Sequence, residues 1–182
     1  GGMGTLLQAQ GLKPGEHPEH WNMNHPEVIT EIHKAYYDAG SNVVSTNTFG
    51  ANSLKFGEEL EAIVKAAFEN ANAARVQWKQ ENPDSKQEKF IALDIGPTGK
   101  LLKPLGDLDF EDAVAVFAQT VQLGVKYGAD LIFIETMNDS YETKAALLAA
   151  KENSDLPVLV SNAYGEDGKL MTGANAAAMV AM

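Results

Sequence analysis

Four times along this chain an apolar run ends abruptly in polar residues. The runs are Val43-Val44-Ser45-Thr46-Asn47-Thr48, Phe90-Ile91-Ala92-Leu93-Asp94-Ile95-Gly96-Pro97, Leu131-Ile132-Phe133-Ile134-Glu135-Thr136 and Pro157-Val158-Leu159-Val160-Ser161-Asn162. Segments this rich in β-branched and aromatic residues predict strands buried on both faces, the pattern of a parallel sheet covered by helices. Helical patterns lie between them. Pro26 opens one whose stripe is Val28, Ile29, Ile32, Ala35, Tyr36 and Ala39, closed by Gly40. A second runs from about Glu58 to Gln80 with Leu60, Ile63, Val64, Ala67, Phe68, Ala71 and Ala74 on one face, and Asn82-Pro83-Asp84 breaks it. Asp109 stands where an N-cap belongs, ahead of Ala113, Val114, Phe117 and Val121; Asp139-Ser140 opens a further helix, and a last one begins near Asn175.

The order is a loop and a helix, then strand and helix in alternation, which predicts an α/β fold with right-handed parallel crossovers. No glycine-rich nucleotide-binding fingerprint follows any strand, which argues against a doubly wound sheet. A (β/α)8 TIM barrel takes about 250 residues. The expectation for residues 1–182 is therefore the front portion of such a barrel, one partial domain without the first strand and the last three strand-helix units. Polar groups just past the carboxyl ends of such strands form the rim where barrel enzymes place their chemistry.

Composition narrows the function. Lys and Arg number 14 against 25 Asp and Glu, for a net charge of -11, which opposes binding to nucleic acid. There is no cysteine, so no disulfide, thiolate nucleophile or cysteine-held metal can be built from these residues. No apolar stretch approaches the roughly 20 residues of a membrane span, and no signal peptide is evident, so a cytoplasmic location is expected. His17, His20 and His25 are a possible metal set by residue type, but they sit in a proline-broken loop without a second anchoring cluster, so solvated side chains are expected. A carboxylate ending an apolar strand, as Glu135 does, is costly unless paired or hydrogen-bonded; it is either a ligand receptor or a structural acceptor. No lysine ends any of the four strands, which disfavours a Schiff-base aldolase.

Five segments, taken together and in order, carry a family resemblance: Gly1-Gly2-Met3-Gly4-Thr5, Trp21-Asn22 with His25-Pro26-Glu27, Thr46-Asn47-Thr48-Phe49-Gly50-Ala51-Asn52, Gly96-Pro97-Thr98-Gly99, and Ile134-Glu135-Thr136-Met137. The chain resembles the homocysteine S-methyltransferase domain over essentially its whole length. The stretch Asp94–Asp109 is most similar to the cobalamin-dependent branch. The resemblance implies a barrel that methylates homocysteine to methionine, with zinc on the substrate sulfur. It also implies cobalamin- and folate-binding domains elsewhere in the protein, and methylcobalamin recharged by methyltetrahydrofolate as donor. The family's zinc ligands are cysteines of the later strands, so residues 1–182 alone are expected to be inactive and to bind no metal. By the same resemblance, Gly1 and Gly2 offer backbone N–H groups to the substrate carboxylate, and Glu135 receives the α-ammonium. Thr46, Asn47 and Thr48 stand at the mouth of the site, where satisfying backbone is as good a role as touching substrate. Asp94 and Asn162 are expected to support neighbouring loops. Two alternatives stay open: a stand-alone enzyme using S-methylmethionine or betaine, and an inactive fragment or scaffold associating through exposed strand edges.

Overall fold

The computed structural model describes residues 2–182 and holds four parallel strands in the order β1-β2-β3-β4. They are β1 (Val43–Ser45), β2 (Phe90–Ile95), β3 (Leu131–Met137) and β4 (Val158–Asn162). The helices are α1 (Met3–Ala9), α2 (Trp21–Asn24), α3 (Pro26–Asp38), α4 (Ser53–Phe56), α5 (Leu60–Glu81), α6 (Phe110–Lys126), α7 (Ser140–Asn153) and α8 (Ala176–Ala181). Parallel pairing runs Val44 to Ile91, Leu93 to Ile132 and Ile134 to Val160. Each crossover contains a helix, as parallel neighbours require. No helix among the described residues is long and apolar enough to cross a membrane.

Only β2, over Ile91–Ile95, is buried on both faces as its sequence predicts; β1, β3 and β4 are not. Val44, Ile91, Leu93, Ile95, Ile132, Ile134 and Met137 face α5, α6 and α7 and form one core with Ile63, Phe68, Phe117 and Val121. The opposite face carries Val43, Phe90 and Leu159, each at least 40% exposed. In a closed barrel that second face is the interior, where apolar side chains are also needed. A continuous apolar run therefore marks the strand correctly and overstates its burial here.

Helix α3 holds a second correction. Its fully buried side chains are Ile29, His33 and Tyr37, spaced four apart, rather than the apolar stripe read from sequence. Val28, Ile32, Ala35, Tyr36 and Ala39 instead line an open groove beside Leu6 of α1. The segment before α3, expected to be a loop, contains α1, a 3-10 turn at Pro18–His20 and α2. Leu7 of α1 packs with Leu12, Trp21 and Ile29 in a small separate cluster.

Helix ends follow the local chemistry with one exception. Asp139 caps α7 by accepting from Tyr141 N at 2.8 Å, and Asn175 caps α8 through Ala178 N at 2.9 Å. Asp109 stands at the N-cap of α6 but makes no capping bond. Its carboxylate pairs with Lys103 Nζ at 2.8 Å.

Gly124 lets α6 lie directly on β2. A Cβ there would meet Leu93 Cδ2 at 2.5 Å, and Leu93 is fully buried with no space to move into. Gly124→Ala is expected to destabilise the protein by about 1–3 kcal/mol through overpacking, measured by chemical denaturation; an unchanged midpoint would contradict this packing.

Candidate functional site

The site begins where β1 runs out. The last ladder pair of β1 and β2 joins Ser45 to Ala92, and Thr46 N then donates to Ala92 O at 2.9 Å. Beyond that point side chains continue the pairing. Asp94 N donates to Thr46 Oγ1 at 3.2 Å, and Thr48 Oγ1 donates to Asp94 O at 2.8 Å. The two hydroxyls lie 2.7 Å apart. A carbonyl can only accept, so the Thr48 proton is committed to Asp94, and Thr46 must donate to Thr48. The result is a closed ring of three hydrogen bonds about the Asp94 backbone.

A reciprocal amide pair ties down the N-terminal arm. Asn22 Nδ2 donates to Asn47 O at 2.8 Å, while Asn47 Nδ2 donates to Asn22 Oδ1 at 3.1 Å and to Pro18 O at 2.7 Å. Asn70 of α5 donates to Asn22 O at 2.9 Å. This network carries the 3-10 turn, and with it Glu19, onto the rim. Glu19 is 3% exposed; its Oε1 accepts from Gly50 N at 2.7 Å, and its Oε2 lies 3.7 Å from Lys55 Nζ without a hydrogen bond. Gly96 is required by a close approach: a Cβ on it would sit 2.5 Å from the Phe49 ring. The following Thr98 fastens its loop to α7, donating to Glu142 Oε1 through N at 2.8 Å and through Oγ1 at 2.6 Å. Burial nevertheless leaves the Glu142 carboxyl above its ordinary range.

A β-bulge follows Glu135. Ile134 pairs with Val160 and Met137 with Asn162, so Glu135 and Thr136 together oppose Ser161 alone. Thr136 takes φ 58°, a left-handed conformation costly for a β-branched residue, and its N donates to Ser161 Oγ at 3.1 Å. Glu135 lies on the open face with Phe133 by ordinary alternation, and the extra residue returns Met137 to the helix-side core.

These elements enclose a cavity of about 320 Å3 that follows β1 from Ser41 to Asn47 and meets Glu19, Asp94 and Glu135 at the strand ends. Asp94 is 5% exposed and its Oδ1 has no hydrogen-bond partner. Burial first, and then the Glu135 carboxylate facing it, hold the Asp94 carboxyl well above the usual aspartate range. On the α3 wall, burial pushes the His33 imidazole down to about 4, so the ring is neutral at physiological pH, with Nε2 unpartnered.

Of the residues expected at the site, Thr46, Asn47 and Glu135 line this cavity. Thr48 is fully buried beneath it, and its hydroxyl is used on backbone. Gly1 lies outside the described residues; Met3 and Gly4, just after Gly2, line the cavity. Asn162 supports neighbouring backbone, donating to Met137 O at 3.3 Å. Asp94, expected to support a neighbouring loop, lines the cavity. Glu19 and His33 were not singled out from sequence. Only the four-residue spacing of Ile29, His33 and Tyr37 could have flagged His33.

Zinc, implied by the family resemblance, does not fit the donors present. The sequence has no cysteine, and among the described residues no group of three or more His, Asp or Glu side chains is gathered to hold a metal. The loop histidines are occupied otherwise. His17 and His20 pack edge-on against Phe56, His20 Nε2 lies 3.0 Å from Glu59 Oε2, and His25 lies over Trp21.

Comparison with known proteins gives the family and the fold. The family described as Homocysteine S-methyltransferase matches residues 1–182. A methionine synthase of Mycobacterium leprae (strain TN) is 27% identical over 195 residues, covering 100% of this chain and 16% of that protein. One from Mycobacterium tuberculosis (strain ATCC 25618 / H37Rv) is 31% identical over 160 residues, covering 83% of this chain and 13% of its own length. The chain thus spans less than a fifth of either relative. Among solved structures, the metallated form of the homocysteine methyltransferase MmuM from Escherichia coli superposes with a TM-score of 0.86 at 23% identity, over 98% of this chain and 67% of that one. Its oxidized form gives 0.84. At that identity the likeness is one of fold.

Two outcomes follow from the site's construction. Asn47→Asp would set a carboxylate against Pro18 O and Asn22 Oδ1, both acceptors, and should cost about 1–3 kcal/mol in denaturation experiments. Residues 1–182 on their own should retain no stoichiometric zinc after dialysis; tight zinc lost on joint His17→Ala and His20→Ala substitution would refute this.

Proposed function

The chain belongs to the homocysteine S-methyltransferase family, and from that premise we propose that residues 1–182 receive homocysteine by its amino-acid end for S-methylation to methionine. The observation that carries the reading is the carboxylate-lined cavity at the carboxyl ends of β1, β2 and β3, with Glu135 aimed into it. A cavity of about 320 Å3 suits a small amino acid. Its anionic floor favours an ammonium group over a carboxylate, which fixes the orientation of the ligand. Glu135 accepts hydrogen bonds from the α-ammonium. The backbone N–H groups of Gly1 and Gly2 take the α-carboxylate, consistent with the position of Met3 and Gly4 on the cavity wall. Thr46, Asn47 and Thr48 act mainly by holding the rim in shape, since their donors are spent within the protein.

The reacting sulfur then projects away from the carboxylates. Holding it as a thiolate matters because a free thiol titrates near about 8.5 and is mostly protonated at neutral pH. In the family this is the work of zinc, and a zinc site of that type would draw its ligands from outside residues 1–182. The methyl donor in this reading is methylcobalamin recharged by methyltetrahydrofolate, both held by other domains. The resemblance in Asp94–Asp109 and the two methionine synthase relatives favour this over a stand-alone enzyme with another donor.

In the intact protein carrying residues 1–182, Glu135→Gln should weaken homocysteine binding by about 1.5–3 kcal/mol, the usual worth of a charge-assisted hydrogen bond, while leaving bound zinc unchanged. Calorimetry and metal analysis read the two quantities. Unaltered homocysteine affinity would remove Glu135 from the site.

A further inference from the structure

The carboxyl of Asp94 has no structural task in the fold. Its backbone is fully used in the threonine ring, yet its Oδ1 lies buried and unpartnered on the cavity wall. Buried polar atoms without partners are rare, and one at the wall of a cavity points to a ligand. The groups facing Asp94 deepen the anomaly. Glu135 comes from β3 and Glu19 from the 3-10 turn, both anionic by type. The nearby cation on this side, Lys55 of α4, is drawn to Glu19. His33 on α3 is neutral.

We propose that Asp94 is a second anionic partner for the substrate ammonium, opposite Glu135, and that a proton carried by the Asp94 carboxyl leaves as the ammonium arrives. The inference rests on the amino-acid reading of the cavity and adds a residue and a proton balance to it. The exchange is simple: the Asp94 carboxylic acid loses its O–H proton to solvent, and the resulting carboxylate accepts hydrogen bonds from the entering R–NH3+. No other bond changes. A singly protonated, monoanionic pair in the empty site becomes a dianion around a cation, so ligands lacking a primary ammonium gain nothing there. The raised Asp94 titration agrees with a proton bound in the empty state. Affinity for an amino acid should therefore rise with pH through that titration, until the ligand's own ammonium deprotonates.

The test uses the intact protein and L-methionine, whose thioether cannot contribute protons as the homocysteine thiol would. Calorimetry in two buffers of different ionisation enthalpy counts protons released near neutral pH. The wild type should release a fraction of a proton per methionine bound at some point between about pH 5 and 8. Asp94→Asn should release none and bind methionine on the order of 10- to 100-fold more weakly. 4-(Methylthio)butanoate, which lacks the ammonium, should bind both proteins alike. The ligand-free Asp94→Asn protein should also be the more stable. A folded-state pKa above the unfolded value makes wild-type stability fall as pH rises from the ordinary aspartate range through the raised one, and the amide removes that loss. Lower stability together with unaltered affinity would mark Asp94 as structural and overturn the inference. Wild-type binding of methionine without proton release would overturn it without any variant. Failure of the wild type to bind either methionine or homocysteine would sink the amino-acid reading itself, and this inference with it.

Discussion

The ring formed by Thr46, Thr48 and the Asp94 peptide is the constraint on which the site depends. Beyond Ser45, strand β1 no longer supplies backbone to β2, and an unsatisfied pair at Asp94 would be costly in so buried a place. Two hydroxyls, two residues apart, replace one rung of the ladder. The chain can then turn away through Phe49 and Gly50 while β2 continues to the rim. Everything that follows is hung from this turn. Asn47 between the threonines locks onto Asn22, which brings the 3-10 turn and Glu19 inward, and Phe49 packs against Gly96. The rim is thus assembled from three distant parts of the sequence by short polar contacts rather than by apolar packing.

That construction has an electrostatic cost. Gathering Glu19, Asp94 and Glu135 around one cavity raises the energy of the empty protein, and the fold offsets only part of it, through Gly50 N and Lys55. The core on the other side of the sheet supplies the margin. Leu93, Ile132, Ile134 and Met137 are all fully buried against α5, α6 and α7, and each such side chain is worth about 1.5–3 kcal/mol. The sheet therefore divides the labour by face, with cohesion on the helix side and a strained, charged surface on the other.

How much of this was legible beforehand varies by element. The strands and the long helices α5, α6 and α7 announced themselves, because a run of β-branched residues or a regular stripe such as Leu60–Ile63–Val64–Ala67 has one good solution. The burial of α3 was misread. Two stripes compete on that helix, and the buried one carries a histidine, which hydrophobic periodicity counts against it. Glu135 was visible as a charge at the end of an apolar strand. Glu19 was not, because nothing local distinguishes a glutamate in Pro18-Glu19-His20 from any solvated one. Its burial is created by contacts with Asn47 and Gly50, about thirty residues away. Asp94 lay between these cases: its strand was plain, but whether its side chain faced helix or cavity depends on strand parity, which only the register with β3 settles.

The bulge at Thr136 has a mechanical meaning as well. Because it resets the alternation of β3, the residues on either side of it are anchored in opposite layers: Glu135 points to the cavity and Met137 is sealed among the helices. A ligand pulling on Glu135 pulls against a strand end that cannot roll, since rolling would have to drag Met137 out of a closed core. The carboxylate is in effect mounted on a clamp, and the compliance needed to seat a ligand must come from the other wall of the cavity, where the arm before α3 is held by amide contacts and a small apolar cluster.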